Sequence, residues 1–257
     1  MRIYSFFSIL VLVLVSCTKD SGSDARLIKK LVEISSDGSS ITTLFAYNGN
    51  EIVKADNELQ HVEYTYTNGL ITKISTKNKA TQLTVVEEFL YDKDKLVSVK
   101  SSDNFMIKYT YNADETVSYQ KTKLNDKKEE IKVYHGVLYF KDKNLIKDKR
   151  TLDDSPAGTV STYNVSYEYD LQKNSFFNIL GFDKLLDHND LISVNNSYIG
   201  VVESNVMSAD DQISSSANFY KSIFVYDEEG YPIEKVAEAA MPTNGKSGYL
   251  KTQYFYE

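Results

Sequence analysis

Residues that could carry out chemistry are few in this chain. It contains 1 cysteine, Cys17, and 3 histidines. Only His188 has close acidic neighbours, because Asp187 precedes it directly and Asp190 follows shortly after it. Asp187, His188 and Asp190 are therefore a candidate ligand or metal site. The competing interpretation is the polar end of a helix, where a cationic histidine interacts favourably with the helix dipole. Adjacent residues of a helix also point in different directions, which favours this second interpretation.

No catalytic motif accompanies these residues. The sequence lacks Gly-x-Ser-x-Gly, Gly-x-Gly-x-x-Gly and P-loop patterns, which mark serine nucleophiles, dinucleotide sites and phosphate sites. After Cys17 there is no thiol for nucleophilic catalysis or for a cysteine-based zinc site. We therefore expect no catalytic residues and no cofactor, and we predict that the protein is not an enzyme.

The acidic residues leave two alternatives open. The chain has 36 Asp and Glu residues, and a glycosidase needs only two carboxyl groups about 5–10 Å apart. An envelope hydrolase that uses scattered carboxylates is therefore the alternative function. Acidic turns such as Asp92–Asp94 could also bind Ca²⁺ through oxygen. None of them follows the EF-hand spacing, and acidic residues are common in turns for backbone reasons, so we predict no metal.

The N-terminal segment predicts export and lipidation. A basic start, Met1-Arg2, leads into the apolar run Phe6–Val15, which is too short to cross a hydrocarbon core as a helix of about 20 residues. Leu14-Val15-Ser16-Cys17 follows and resembles a bacterial lipobox. The resemblance implies that residues 1–16 are a lipoprotein signal peptide and that Cys17 is acylated.

The predicted subcellular location follows from this lipid anchor. Acyl groups on Cys17 would hold the protein to the bacterial outer membrane, facing the periplasm or the cell surface. Residues 17–26 comprise the acylated cysteine and a polar stretch that we interpret as a flexible tether. The remaining residues, 27–257, form a single predicted domain. Because the formal net charge is −7, we expect no nucleic-acid partner.

A repeated hairpin pattern organises this domain. In Val62–Ser75, three large residues alternate with polar ones, Asn68-Gly69 supplies the positive φ angles of a tight turn, and an apolar strand runs back. Similar units recur along the chain. The last large residue before the turn is Tyr47, Tyr66, Tyr91 or Tyr111, and these tyrosines are 19, 25 and 20 residues apart. The pattern explains the bias towards tyrosine, of which there are 20, because rings pack across strands while their hydroxyl groups reach water at the sheet margin.

The repeats predict a mainly β fold: an antiparallel hairpin meander that forms a curved sheet or an incomplete barrel. One segment, Asn174–His188, has apolar residues near helical spacing and predicts one short helical insertion. In the middle of the chain, two short strands are expected on either side of a turn at His135-Gly136.

The repeats also carry a resemblance. Tyr64–Ile74 and Phe224–Ile233 are similar to degenerate tyrosine–aspartate (RHS-like) repeats. Together with the lipobox they resemble an uncharacterised family of Bacteroidetes lipoproteins with a porin-like β fold. The repeat is broken at Phe140-Lys141, where the pattern predicts the dipeptide Tyr-Asp. This resemblance implies a fold but no activity and no catalytic residues.

The sequence therefore favours a lipid-anchored cell-envelope protein of unknown molecular role, most simply a non-catalytic binding or scaffold module for a glycan or a protein. Besides the hydrolase, a true membrane barrel is the third hypothesis. Several strands look shorter than the about 9–11 residues that a transmembrane strand needs, which argues against it.

Overall fold

The computed structural model describes residues 26–153, 155, 158–186, 194–208, 213–238 and 249–257, without the side chains of residues 238, 249 and 250. Sixteen strands and one short 3₁₀ turn, Phe182–Lys184, make up its regular structure. The strands are β1 Ile28–Ile34, β2 Ser40–Asn48, β3 Glu51–Asp56, β4 Gln60–Thr67, β5 Leu70–Asn78, β6 Thr84–Asp92, β7 Lys95–Ser101, β8 Phe105–Tyr111, β9 Val117–Leu124, β10 Glu130–Lys141, β11 Asn144–Leu152, β12 Val160–Lys173, β13 Asn195–Met207, β14 Ile213–Tyr226, β15 Pro232–Glu238 and β16 Tyr249–Tyr256.

All sixteen strands belong to one closed antiparallel barrel. Each strand pairs with the next along the chain, which confirms the predicted hairpin meander. The barrel closes where β1 pairs with β16, with Leu31 opposite Tyr254. The expected open sheet or incomplete barrel is therefore wrong. Pairing the first strand with the last gives partners to the backbone groups that two edge strands would leave exposed.

The connections between strands lie at two ends of the barrel. The turn end carries the tight turns at residues 49–50, 68–69, 93–94 and 142–143 and the longer turns at 112–116 and 227–231. The chain also enters β1 and leaves β16 at this end. Asn68 and Gly69 have φ angles of 53° and 75°, which confirms the predicted hairpin turn.

Apolar and tyrosine side chains point into the barrel and form two buried clusters. Alternation along β4 places Val62, Tyr64 and Tyr66 inside and exposes Glu63, as the sequence pattern predicts. One cluster lies on β7–β11 and includes Leu96, Val99, Ile107, Tyr109, Val117, Tyr119, Tyr134, Leu138 and Leu145. The other joins β1, β3, β5 and β16 to the β12–β13 connection and includes Leu27, Ile28, Ile52, Ile71, Ile179, Phe182, Leu185 and Tyr254.

Tyrosine hydroxyl groups link successive hairpins at the turn end, in contacts that we call tyrosine latches. In each latch, the last inward tyrosine of a strand bonds to the backbone near the start of the preceding strand. The donors and acceptors are Tyr47 to Ile28 O (2.6 Å), Tyr91 to Ile71 O (2.9 Å), Tyr169 to Leu145 O (2.7 Å) and Tyr256 to Pro232 O (2.8 Å). We expected these hydroxyl groups to reach water, but they donate to backbone carbonyl groups near the start of the preceding strand.

The latches compensate for ladders that stop short of the turn end. Between β3 and β4 the ladder covers only three residue pairs, from Lys54–Glu63 to Asp56–His61. Nearer the turn end than these pairs, the Ile52 N–H donates to the hydroxyl oxygen of Tyr66 (3.2 Å). At Phe140, where the repeat departs from tyrosine, no hydroxyl is needed because the β9–β10 ladder continues to Val117 at the start of β9.

Two other expectations are corrected. A short helical insertion was predicted at Asn174–His188, but in the described part of this segment, residues 174–186, the only helical element is the 3₁₀ turn Phe182–Lys184. Gly181 adopts a left-handed φ of 76°, which interrupts helical geometry. His135-Gly136 is not a turn but lies within the continuous strand β10. Gly136 faces the ring of Tyr119, and a Cβ there would lie 2.6 Å from the Tyr119 hydroxyl. In the described part of the chain, no helix is long and apolar enough to cross a bilayer.

Candidate binding site at the turn end

The β12–β13 connection folds back into the turn end and acts as a plug, which we define as residues 174–186. Ile179, Phe182 and Leu185 are buried against the inward side chains of β1, β3 and β5. Phe176 stacks on Phe182 with ring centroids 5.7 Å apart. These apolar contacts drive the segment inward, since they remove its large side chains from water.

Backbone contacts lock the plug to neighbouring turns. The Leu180 N–H donates to Asn50 O (3.0 Å), and Leu180 O accepts from the Tyr66 hydroxyl (3.0 Å). Gly181 approaches Gly69 so closely that a Cβ at Gly181 would lie 3.1 Å from Gly69 O. The plug is therefore held by the same turns that the tyrosine repeats build.

The outer side of the plug carries two adjoining depressions, which together we call the plug-face site. The larger has a volume of 540 Å³ and the smaller 330 Å³, and both are lined by Lys143 and Asp183. In the smaller one, Tyr111 and Phe140 contribute aromatic rings, and Asp94 and Glu115 contribute carboxylates. The larger one adds Asn50, Phe176, Phe177 and Asn178.

Side chains in the plug-face site are suited to hold a polar ligand with an apolar face. Lys95 places its ammonium 4.8 Å from the centre of the Tyr111 ring, and Phe177 is 46% exposed. Aromatic rings offer a flat apolar surface, while carboxylates and amides accept or donate hydrogen bonds around it. This combination matches the sugar-binding arrangement that rings and nearby Asn or Asp residues can make.

The charge of a neighbouring lysine favours the ionised form of Asp94. Lys184 on the plug lies 3.3 Å from Asp94 on the β6–β7 turn. The hydrogen bond from the Lys184 ammonium, together with its positive charge, lowers the pKa of Asp94 below its ordinary value. A general acid needs the opposite shift, because it must stay protonated near neutral pH.

The site residues predicted from the sequence fall in segments that the structure does not describe. Cys17, Asp187, His188 and Asp190 lie outside the described residues, although Leu186 and Val194, which flank residues 187–193, line the two depressions. On the outer wall, His61 Nδ1 lies 2.6 Å from Asp56 and His135 Nδ1 lies 2.9 Å from Asp153. No group of three or more metal-ligating side chains occurs among the residues that the structure describes, which do not include 187–193.

A buried polar cluster inside the barrel was not anticipated. Asp148 is fully buried and accepts hydrogen bonds from the Tyr119 hydroxyl (2.5 Å) and the Arg150 guanidinium (2.8 Å). The guanidinium also lies over the ring of Tyr134, 4.4 Å from its centre. Because these partners satisfy the charges, we interpret the cluster as structural.

The plug-face site was also missed by sequence reasoning, for a simple reason. Its carboxylates come from three separate segments, with Asp94, Glu115 and Asp183 each in a different connection. In the sequence each looks like an ordinary acidic turn residue. The only signal that pointed to this place was the interruption of the hairpin repeats at residue 174.

The fold and site define a class: a sixteen-stranded barrel whose turn end is closed by a plug. No family model matches the chain, and no curated protein matches it. Among solved structures, the chain is similar to the crystal structure of a porin-like protein from Bacteroides uniformis, with a TM-score of 0.53 and 11% sequence identity. The match covers 89% of this chain and 96% of that chain.

At this identity the similarity shows the fold alone. It supports the porin-like β fold that the family resemblance implied, and the outer-membrane location stays a prediction. The RHS-like repeats, the lipoprotein assignment and the lipid anchor stay predictions.

Proposed function

We propose that the protein is a lipid-anchored, non-catalytic binding module of the outer membrane that holds a glycan in the plug-face site. The observation that carries the proposal is the pairing of Tyr111 and Phe140 with surrounding carboxylates and lysines in one depression. A glycan presents apolar ring faces for stacking and hydroxyl groups for hydrogen bonds, so it fits both features. A shallow site of this kind supports a weak affinity, with Kd near about 1 mM.

Two further observations support anchoring in preference to a transmembrane pore. Exposed charged residues occupy the outer wall of β4–β9, including Glu63, Lys73, Glu88, Lys100 and Lys108. A lysine facing lipid near the bilayer midplane costs about 2–4 kcal/mol. The inner faces of β1–β11 and β16 are packed mainly with apolar and tyrosine side chains, whereas porin interiors are polar.

Many anchored copies on one membrane compensate for weak individual sites, because each bound glycan chain can reach a second copy without new contacts. The experiment is a screen of the full-length protein in detergent against a glycan array, together with chromogenic glycosides and peptides. Asp183→Asn and Glu115→Gln should weaken binding about tenfold, since a hydrogen bond to a charged group contributes about 1.5–3 kcal/mol.

Glu58→Gln is the matched control, because Glu58 is an exposed turn residue at the opposite end of the barrel. Equal binding by the control and both site variants would contradict the proposed site. Turnover of a chromogenic substrate that one carboxylate replacement abolishes, with folding unchanged, would favour the envelope hydrolase. In a separate test of the anchor, Cys17→Ser should abolish palmitate incorporation and release the protein from membranes.

A further inference from the structure

The outer surface of the barrel has one apolar side. Outward residues of β13, β14 and β15 form it, and we call them the apolar flank: Ile199, Val201, Phe219, Ile223, Val225 and Val236. They are neighbours across strands, since Val201 lies opposite Phe219 and Ile223 lies opposite Val236. Phe219, Ile223 and Val225 are 49%, 60% and 49% exposed. Apolar patches exposed in this way mark contact surfaces.

The outward faces of β4–β9 differ in composition from the apolar flank. On β4–β9 many of the outward positions carry charged side chains, among them Glu63, Lys73 and Lys108. The barrel exterior is therefore amphipathic, with one apolar side and one charged side. A barrel surrounded by water on all sides does not need an apolar side and a charged side.

Both lysines and acidic residues border the apolar flank: Glu168 lies opposite Ile199, and Glu203 follows Val201 on the outward face of β13. The lysines lie within the flank and at its β1 side. Lys221 lies within it, between Phe219 and Ile223 on the outward face of β14. Lys30 lies beside it on β1, with its ammonium 3.8 Å from the centre of the Phe255 ring. The acidic residue opposite Val225, Glu234, is paired with Lys251 at 2.7 Å. Lysines with stems along an apolar surface and ammonium groups at its edge are typical of membrane interfaces.

The chain preceding the barrel begins next to this flank. Arg26 forms an ion pair with Asp227 (2.8 Å) in the turn that follows β14, and its guanidinium lies 4.9 Å from the centre of the Tyr256 ring. The tether therefore starts beside the turn-end edge of the apolar flank. Eight residues, 18–25, separate Cys17 from Arg26, and a fully extended chain from Cys17 to Arg26 spans at most about 30 Å.

We propose that the apolar flank rests on the surface of the membrane that anchors the protein, with lipid as its occupant. The proposal rests on the lipid anchor at Cys17 put forward above. Contact with lipid would remove Phe219, Ile223 and Val225 from water, and it would leave the charged side of the barrel facing solvent.

Tryptophan fluorescence can test this contact because the chain contains no tryptophan. Ile223→Trp places a single reporter on the apolar flank. Leu90→Trp is the matched control, since Leu90 is 62% exposed on the charged side. Both full-length variants are reconstituted as lipoproteins on vesicles that contain brominated phosphatidylcholine. We expect loss of emission for Ile223→Trp and unchanged emission for Leu90→Trp.

The same variants, with residues 1–17 replaced by a hexahistidine segment, are bound to nickel-chelating lipid in a parallel arm. If the lipoprotein forms fail to float with vesicles, the proposed anchor is wrong, and the parallel arm still reports which side meets the lipid. Vesicle-bound protein without quenching of the Ile223→Trp variant, or with equal quenching of both variants, would overturn the proposal. It would likewise be overturned by a solution dimer that Ile223→Asp dissociates, since a second copy would then cover the flank.

Discussion

At the scale of single residues, tyrosine hydroxyl groups connect several hairpins to the preceding strand at the turn end. Tyr66 accepts from Ile52 N and donates to Leu180 O, so it links a strand and the plug. Tyr66→Phe should lower the free energy of unfolding by about 1 kcal/mol, the usual contribution of an intramolecular hydrogen bond. Tyr66→Ala should cost about 2–5 kcal/mol, because it also leaves a cavity.

Urea denaturation would measure both changes. Tyr220→Phe is the matched control, because Tyr220 is 44% exposed and takes part in no latch. A loss below about 0.5 kcal/mol for Tyr66→Ala, the usual size of a surface effect, would show that the latch is unimportant.

A second prediction at this scale concerns Lys235, which lies opposite Phe224 and Thr252 and therefore points into the barrel. Burial lowers the pKa of Lys235, although the charge of Glu33 opposes this shift. The folded state therefore binds this proton less tightly than the unfolded state. As a consequence, the wild-type protein should gain stability as the pH rises from the lowered pKa towards about 10.4.

Lys235→Met should remove this pH-dependent gain. At pH 7 we expect it to raise the free energy of unfolding by about 1 kcal/mol, because a buried charge is replaced by an apolar side chain of similar volume. The advantage should shrink near pH 10. Denaturation at both pH values measures it, with Lys73→Met on the outer wall as the control, and a destabilised Lys235→Met protein at pH 7 would contradict this expectation.

At the scale of elements, the plug depends on Gly181. Its φ is 76°, and a Cβ at this position would lie 3.1 Å from Gly69 O, so a side chain would require the backbone at Gly69 to shift. Gly181→Ala should therefore destabilise the protein by about 1–3 kcal/mol and loosen the plug more than the barrel. Hydrogen exchange should show faster exchange at Leu180 and Phe182, whereas strands β7–β9 should be unaffected.

Gly38→Ala is the control for this substitution, since Gly38 also has a positive φ, 85°, but no atoms within 4 Å of a Cβ. An equal effect of the two substitutions would mean that backbone strain alone, without the contact to Gly69, explains the loss. If the plug-face site binds a glycan, Gly181→Ala should weaken that binding as well.

At the scale of the whole molecule, the packed interior predicts that the barrel does not conduct ions. The two clusters occupy the inner faces of β1–β11 and β16, and the plug lies inside the turn end. In planar lipid bilayers, the full-length protein should produce no conductance steps. A plug-free variant, with residues 174–194 replaced by a short Gly-Ser linker, should also stay silent because the cluster on β7–β11, whose buried members include no plug residue, remains. Stepwise conductance by the wild-type protein would identify it as a pore.

The sequence by itself determined the local structure. Alternation along Val62–Tyr66 specified which side chains face inward, and Asn68-Gly69 specified a tight turn, because both depend only on neighbouring residues. The period of the tyrosines also predicted one hairpin per repeat. These inferences required no knowledge of distant contacts.

The tertiary structure alone decided closure, the plug and the candidate site. Whether the sheet closes depends on the twist summed over sixteen strands, which no single repeat encodes. Burial of Phe182 against distant strands overrode the helical spacing at Asn174–His188, since the gain from packing exceeds a weak helix propensity. Asp94, Glu115 and Asp183 meet at one depression only because the barrel brings their three connections to the same end.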